Sequence, residues 1–229
     1  VTAGWPVVRH RGTAASLHAL EVPTPARAEL WWMQMERPAV VLGSTQRPEI
    51  VDRRAAERLG LAVVRRRSGG GAVLLEPDDV TWVDVVLPAD DPRWVADVGR
   101  SFDWLGRAWI DALGAVGVAG AIAHEGPLLR SPWSDLVCFA GLGPGEVRVD
   151  GRKVVGLSQR RTRGHARFQC LAVHRWDPTP LLEVLVPDPA DRSVATVELA
   201  ASATGIGPVA PAALVGALAR ALGAPTSLS

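Results

Sequence analysis

Apolar residues recur along the chain with two periods. From Val95 to Val116, the residues Val98, Phe102, Leu105, Trp109, Ala112 and Val116 return every three or four positions. That spacing puts them on one helix face and predicts an amphipathic core helix. Thr81 to Leu87 alternates instead, with Trp82, Asp84 and Val86 on one side of a strand and Val83, Val85 and Leu87 on the other. One face of that strand therefore carries an acid. β-rich stretches predict further strands over Pro6–His10, Glu29–Met35, Ala39–Gly43, Leu61–Arg66, Ala72–Leu75 and Arg167–His174. Glu29–Met35 and Ala39–Gly43, divided by Pro38, read as a strand pair. Asp150-Gly151 between Glu146–Val149 and Lys153–Leu157 is a type I′ hairpin signal. Helices are expected over Ala14–Leu20, over Glu49–Leu59 with Pro48 at its first turn and Gly60 as its stop, and over Pro180–Val186, Ser193–Ala201 and Pro211–Leu222. Residues 119–132 read as irregular. Strands and helices do not alternate regularly, so an α+β fold is expected rather than a doubly wound sheet. With no repeat or linker, residues 1–229 read as a single domain.

Composition narrows the function classes. A chain with 48% hydrophobic and 21% charged residues buries a core and is not disordered. No apolar run reaches the roughly 18 residues of a membrane span, and no signal peptide is visible. A net charge of +1 argues against a nucleic-acid binder. Two cysteines, Cys138 and Cys170, are too few for a disulfide framework and point to a reducing, cytoplasmic compartment. The five histidines, His10, His18, His124, His165 and His174, show no metal-ligand spacing and read as solvated or satisfied core residues, so no metal site is expected.

One count directs attention to a site. Of the 25 basic residues only Lys153 is a lysine; the other 24 are arginine. Where arginine serves for every generic positive charge, a surviving lysine marks a place that needs a compact ammonium. It sits in Asp150-Gly151-Arg152-Lys153-Val154-Val155-Gly156-Leu157-Ser158-Gln159-Arg160-Arg161, at the start of the returning hairpin strand, with Val154, Gly156 and Ser158 on one face. The second unusual stretch is Arg65-Arg66-Arg67-Ser68-Gly69-Gly70-Gly71-Ala72-Val73. Three glycines between two strands allow a sharp turn and close approach of a ligand, and their N–H groups with flanking arginines suit an anion. It is neither a Walker loop nor a dinucleotide fingerprint. By local chemistry alone it is equally a plain glycine-rich hairpin.

These two motifs, in this order and with Glu36-Arg37-Pro38-Ala39-Val40-Val41-Leu42-Gly43 ahead of them, resemble the catalytic domain of the lipoate–protein ligase family, related to biotin–protein ligases and octanoyltransferases. The resemblance covers Trp5 to Asp177. It implies a class II synthetase-like core, a mixed β-sheet flanked by helices. It also implies protein lipoylation: activation of lipoate with ATP to lipoyl-AMP, then transfer to a lysine of a lipoyl carrier domain, on a 2-oxoacid dehydrogenase subunit or a glycine-cleavage H protein. The implied adenylate-binding residues are Arg66, Ser68, Gly69, Gly70, Gly71, Ala72, Val73, Asp79, Asp135, Gly156 and Ser158. Lys153 is the implied catalytic residue at the acyl carbonyl and phosphate oxygens, with Asp135 as a partner.

The chain departs from the ligase pattern at two positions. Leu75 stands where the ligases have His, and Asp79 where they have Asn, which leaves nucleotide and Mg2+ handling open. The C-terminal accessory domain of many ligases is not expected within residues 1–229, so a separate accessory subunit is a candidate partner. Val137-Cys138-Phe139 and Asp79-Val80-Thr81-Trp82 resemble instead the cysteine-dependent octanoyltransferases, in which the cysteine takes octanoyl from acyl carrier protein as a thioester. The triple glycine leans back toward the ligases. Three readings follow: lipoyl transfer first, octanoyl transfer through Cys138 second, and a non-catalytic lipoyl- or biotinyl-binding or partner subunit third. The residues alone leave Cys138 open between nucleophile and buried structural thiol. Cys170, in mid-strand, reads as core.

Overall fold

The strands sort into two facing sheets. In the computed structural model, which describes residues 4–186 and 188–223, they are β1 (Val7–Gly12), β2 (Glu29–Met35), β3 (Ala39–Leu42), β4 (Ala62–Arg65), β5 (Val73–Leu75), β6 (Val80–Pro88), β7 (Ile122–Ala123), β8 (Val147–Val149), β9 (Arg152–Arg161) and β10 (His165–Val173). The large sheet runs β1-β2-β6-β10-β9-β8-β7, and the small one β4-β3-β5. β1 lies parallel to β2 and β3 parallel to β4; the other neighbours are antiparallel. The helices are α1 (Ala14–Ala19), α2 (Arg53–Arg58), α3 (Asp103–Ala115), α4 (Thr179–Leu185), α5 (Pro189–Ser202) and α6 (Pro211–Gly223), with 3-10 turns at Pro48–Ile50, Arg100–Phe102 and Cys138–Ala140.

Burial explains the layering. α3 and α6 cover the outer face of the large sheet, packing Leu105, Trp109, Leu214 and Leu218 on Val83, Val85 and Phe168. α2, α4 and α5 cover the outer face of the small sheet through Ala55, Leu181, Leu185 and Leu199. Between the sheets, Trp82, Val86 and Leu171 meet Val41, Val73 and Leu75, and α1 closes one side with Ala14 and Leu17. The expected mixed sheet with flanking helices is present, divided in two. The expected pairing of Glu29–Met35 with Ala39–Gly43 is not: β2 belongs to the large sheet and β3 to the small one. All four residues of β3 are buried, because both of its faces are covered, and a strand apolar on both faces needs a central place.

Two helix starts also move. Asp52, not Pro48, begins the second helix: its carboxylate accepts from Arg54 N and Ala55 N, while Val51 is extended. The long helix starts at Asp103 rather than Val95, since Asp97 holds the amide of Arg100 in a separate turn. The Asp150-Gly151 turn has positive φ at both residues, 49° and 78°, as a type I′ hairpin requires.

The acid on β6 has a partner across the sheet. Asp84 is fully buried; it accepts from Trp82 Nε1 at 2.7 Å and forms an ion pair with Arg167 Nε. The Nη groups of Arg167 donate to the carbonyls of Leu17 and Leu20, which end α1. One buried pair thereby ties α1 to the large sheet. Arg167→Met leaves Asp84 buried without its cation and the α1 carbonyls without donors. It should cost about 3–5 kcal/mol of stability, and a urea midpoint within error of wild type would refute this.

Candidate active site

Arg66 organises the glycine loop from inside. It is buried, and its Nη2 donates to the carbonyls of Gly69 at 2.7 Å and Gly71 at 2.9 Å, while Nη1 donates to that of Val41 at 3.3 Å. Gly70 takes a φ of 96°, which a side chain rarely tolerates. A Cβ on Gly71 would stand 2.7 Å from the Val137 carbonyl carbon, so only glycine lets the loop come this close to the 137–138 backbone. That approach makes a bridge: Ala72 N donates to Leu136 O and Cys138 N to Ala72 O, both at 2.8 Å. Cys138, half-buried, is thus fixed beside the loop; a Cβ on Gly70 would come within 3.8 Å of its Sγ.

Lys153 is 2% exposed. Its Nζ reaches Glu146 Oε2 at 2.7 Å, the Cys138 carbonyl at 3.0 Å and the Gly141 carbonyl at 3.1 Å. These three acceptors match the three N–H donors of an ammonium. Glu146 in turn accepts from Gly143 N at 2.7 Å and Leu157 N at 2.9 Å. The Phe139 ring lies 4.8 Å below Nζ, with space left by Gly156, where a Cβ would meet that ring at 3.1 Å. The expected partner of Lys153, Asp135, has an exposed side chain paired with Arg130; Glu146 takes that place. Glu146 followed the apolar strand pattern, and nothing in its spacing marked it as a charge partner.

Cys138 borders two cavities. One is narrow and largely apolar, walled by Val41, Val73, Leu75, Trp82, Phe139 and Leu171. The other is a wider groove of about 640 Å³ with a mixed lining, in which Gly69–Gly71, Asp135, Glu146, Lys153 and Ser158 face Val98, Phe102 and Leu128. The structure therefore brings together Cys138, Lys153, Arg66, Gly70, Gly71, Val73, Gly156 and Ser158. Ser68 is buried behind the loop, its Oγ donating to Gln169 Oε1 at 2.6 Å and accepting from Ser158 Oγ at 3.1 Å. Asp79 borders neither cavity and pairs with Arg175 at 2.7 Å. Leu75, at the ligase histidine position, lies in the apolar wall. Cys170 also lines this cavity but is buried, and burial pushes its thiol far up, so it remains a thiol. Among the described residues, no group of three His, Cys, Asp or Glu side chains is placed to hold a metal ion, and no helix is long and apolar enough to cross a membrane.

Two further residues line the apolar cavity: Gln169, and His18, which the sequence presents as a solvated or core histidine. Gln169 is the one polar side chain in the Phe168–Val173 run, and that break in an apolar strand was its signal. His18 stacks on Trp82, centroids 4.4 Å apart, and its Nδ1 accepts from Gln169 Nε2 at 3.1 Å. Burial, reinforced by Arg167 and Arg66, lowers its pKa from 6.5 to about 3.

The two-sheet core has the fold of solved lipoate–protein ligases. The archaeal bipartite lipoate protein ligase of Thermoplasma acidophilum, solved as part of a lipoylation system with its E2 lipoyl domain, superposes with a TM-score of 0.71 at 19% identity, over 95% of this chain and 82% of that one. A lipoate-protein ligase A bound with ATP gives 0.70 at 18% identity, over 95% and 83%. The chain belongs to the lipoyl protein ligase A/B catalytic domain family, which matches residues 17–215. Octanoyltransferase LipM of Moorella thermoacetica is 34% identical over 128 residues, 56% of this chain and 46% of its own length. That of Carboxydothermus hydrogenoformans is 34% identical over 152 residues, 65% and 54%. The chain thus spans about half the length of these curated relatives.

The state of His18 gives a pH test. In the unfolded chain it titrates at its ordinary 6.5 and in the fold at about 3. The unfolded chain therefore takes up the proton first, and stability falls as pH drops from 6.5 toward 3. His18→Asn removes this component while leaving the other histidines in place. Urea midpoints at pH 7 and 4.5 should converge between the two proteins as pH falls; parallel pH profiles would contradict a neutral buried His18.

Proposed function

We propose that the protein transfers an octanoyl group from acyl carrier protein to Cys138 and from there to a lysine of a lipoyl carrier domain. The observation that carries this reading is the position of Cys138, where the narrow apolar cavity meets the wider groove that holds Lys153 and the glycine loop. A thioester on Sγ would lay its alkyl chain among Trp82, Leu75 and Leu171, and leave its carbonyl facing the groove. In the first step Sγ attacks the donor thioester, the new S–C bond forms, the carrier's S–C bond breaks, and the carrier thiol leaves with the thiol proton of Cys138. In the second, the acceptor amine attacks, the amide forms, and Sγ departs and takes a proton from the amine. The names of the curated relatives support this order of readings, the reverse of the order the motifs suggest.

An acyl-adenylate fits the same residues less well. Arg66 directs Nη2 at loop carbonyls and Nη1 at the Val41 carbonyl of β3 rather than outward to a phosphate. Asp79 stands outside both cavities, and Leu75 offers a nucleotide nothing to bond. Lipoyl transfer with ATP and lipoate, with or without Mg2+, is therefore the second reading, and binding without catalysis the third.

Octanoyl carrier protein without ATP should add one octanoyl mass to the chain, and Cys138→Ser should abolish the adduct, because a hydroxyl without a strong base is a far weaker nucleophile. Acceptor modification that needs ATP and survives Cys138→Ser would establish the ligase reading instead. No adduct and no modification under either condition would leave binding alone.

Lys153 holds the Cys138 and Gly141 carbonyls, so it positions the nucleophile's turn as well as bringing charge to the carbonyl. Guanidinium is larger and planar, and the buried site has three acceptors for its five donors. Lys153→Arg should lower transfer by about a hundredfold or more and also lower the unfolding midpoint. Transfer within a few-fold of wild type would remove Lys153 from the mechanism.

A further inference from the structure

The apolar cavity and a second, cationic cleft share two lining residues, His18 and Gln169. The cavity starts at Cys138 beside β9, passes over β10 and reaches Trp82 on β6. Two strand spacings make that span about 10 Å. At its far side His18 lies on the Trp82 ring, and Gln169 Nε2 donates to the imidazole. Gln169 is itself held by Ser68, and Ser68 by Ser158, so the amide of this partition points in a set direction, while the Nε2 of His18 is buried with no hydrogen-bond partner. Behind the partition stand Leu20, Glu21, Arg67, Arg160, His165 and Arg167. Arg160 and Arg167 lie one pleat repeat beyond Ser158 and Gln169 on their strands, about 6.6 Å further on.

We propose that His18 and Gln169 form the end wall of the acyl cavity and set the longest chain the protein accepts; this rests on the acyl-transfer reading above. A terminal methyl that reaches the wall meets uncharged, hydrogen-bonded side chains. To pass it, a longer chain must break the His18–Gln169 bond, leave both groups unpaired and enter a cleft of guanidinium groups, each of which opposes apolar burial. The depressed basicity of His18 agrees with this placement, since a neutral imidazole is the form an alkyl end can touch. The wall is anchored by the same Arg167 that holds Leu17 O and Leu20 O on either side of His18. Chain-length selection is then a property of β10 and of α1, which is remote in sequence from Cys138 and Lys153.

The test compares carrier thioesters of six, eight, ten and twelve carbons with wild type, His18→Ala and Gln169→Ala, reading the rate of the Cys138 adduct by intact mass. Wild type should lose at least about tenfold in rate between eight and ten carbons. A methylene admitted to or refused by an apolar pocket changes selectivity by about tenfold or more, so each variant should raise the ten-to-eight ratio at least about tenfold. Thermal melts establish that the variants are folded. Folded variants that form the octanoyl adduct with an unchanged ratio would overturn the wall. If no adduct of any length forms on wild type, the transfer reading fails separately. Calorimetry with octanoate and decanoate then reads the wall directly: tighter decanoate binding in His18→Ala than in wild type supports it, and equal affinity overturns it.

Discussion

A buried ammonium must find acceptors for all of its protons, and Lys153 finds them on two different segments. Glu146 precedes the hairpin, while the Cys138 and Gly141 carbonyls belong to the turn that carries the thiol. An unpaired charge at that depth would be costly, so the lysine and its acceptors must assemble together. Glu146 extends the constraint to Gly143 and Leu157. The turn holding Cys138, the groove floor and the central strand β9 therefore share one electrostatic anchor, and the other features of the site are built around it.

Arg66 plays the corresponding part for the glycine loop. It draws the carbonyls of Gly69 and Gly71 inward, which fixes the loop against the Cys138 backbone. The absence of a side chain at Gly71 and Gly156 brings backbone and the Phe139 ring into contact where any Cβ would hold them apart. The result is a division of labour by polarity. Apolar walls from both sheets face one side of the thiol, and polar groups from the loop and turn face the other. Between the apolar cavity and the arginines beyond it stands a neutral partition of His18 and Gln169. The buried Asp84–Arg167 pair holds it in place through α1.

Much of this was legible in the sequence, and what was hidden has consistent physical causes. The alternation at Trp82–Leu87 located an acid on one face of a strand, the Asp-Gly pair located the hairpin, and the lone lysine located the anchor. Local signals of this kind depend on neighbours within a few residues. The separation of Ala39–Leu42 from Glu29–Met35 was not legible, because pairing partners are selected by which faces must be covered. The second helix began at Asp52 because a side chain that caps outweighed the proline signal at Pro48. Asp135 looked like the partner of Lys153 by its position in a motif, whereas the fold turned its side chain to solvent and delivered Glu146 instead.

The sequence by itself determined the elements, the family resemblance, and the residues on which chemistry centres: a glycine loop with its arginine, a cysteine, and a lysine retained where every other basic residue is arginine. Those properties reside in residue type and short-range spacing. Tertiary structure decided how the acceptors of Lys153 were shared out, that Arg66 faces inward, that Asp79 stands apart, and that His18 from the first helix meets Gln169 from the last strand across 151 positions. Such contacts follow from burying both faces of two sheets at once while finding partners for the charges buried with them, a condition that many segments meet jointly and that no local segment encodes.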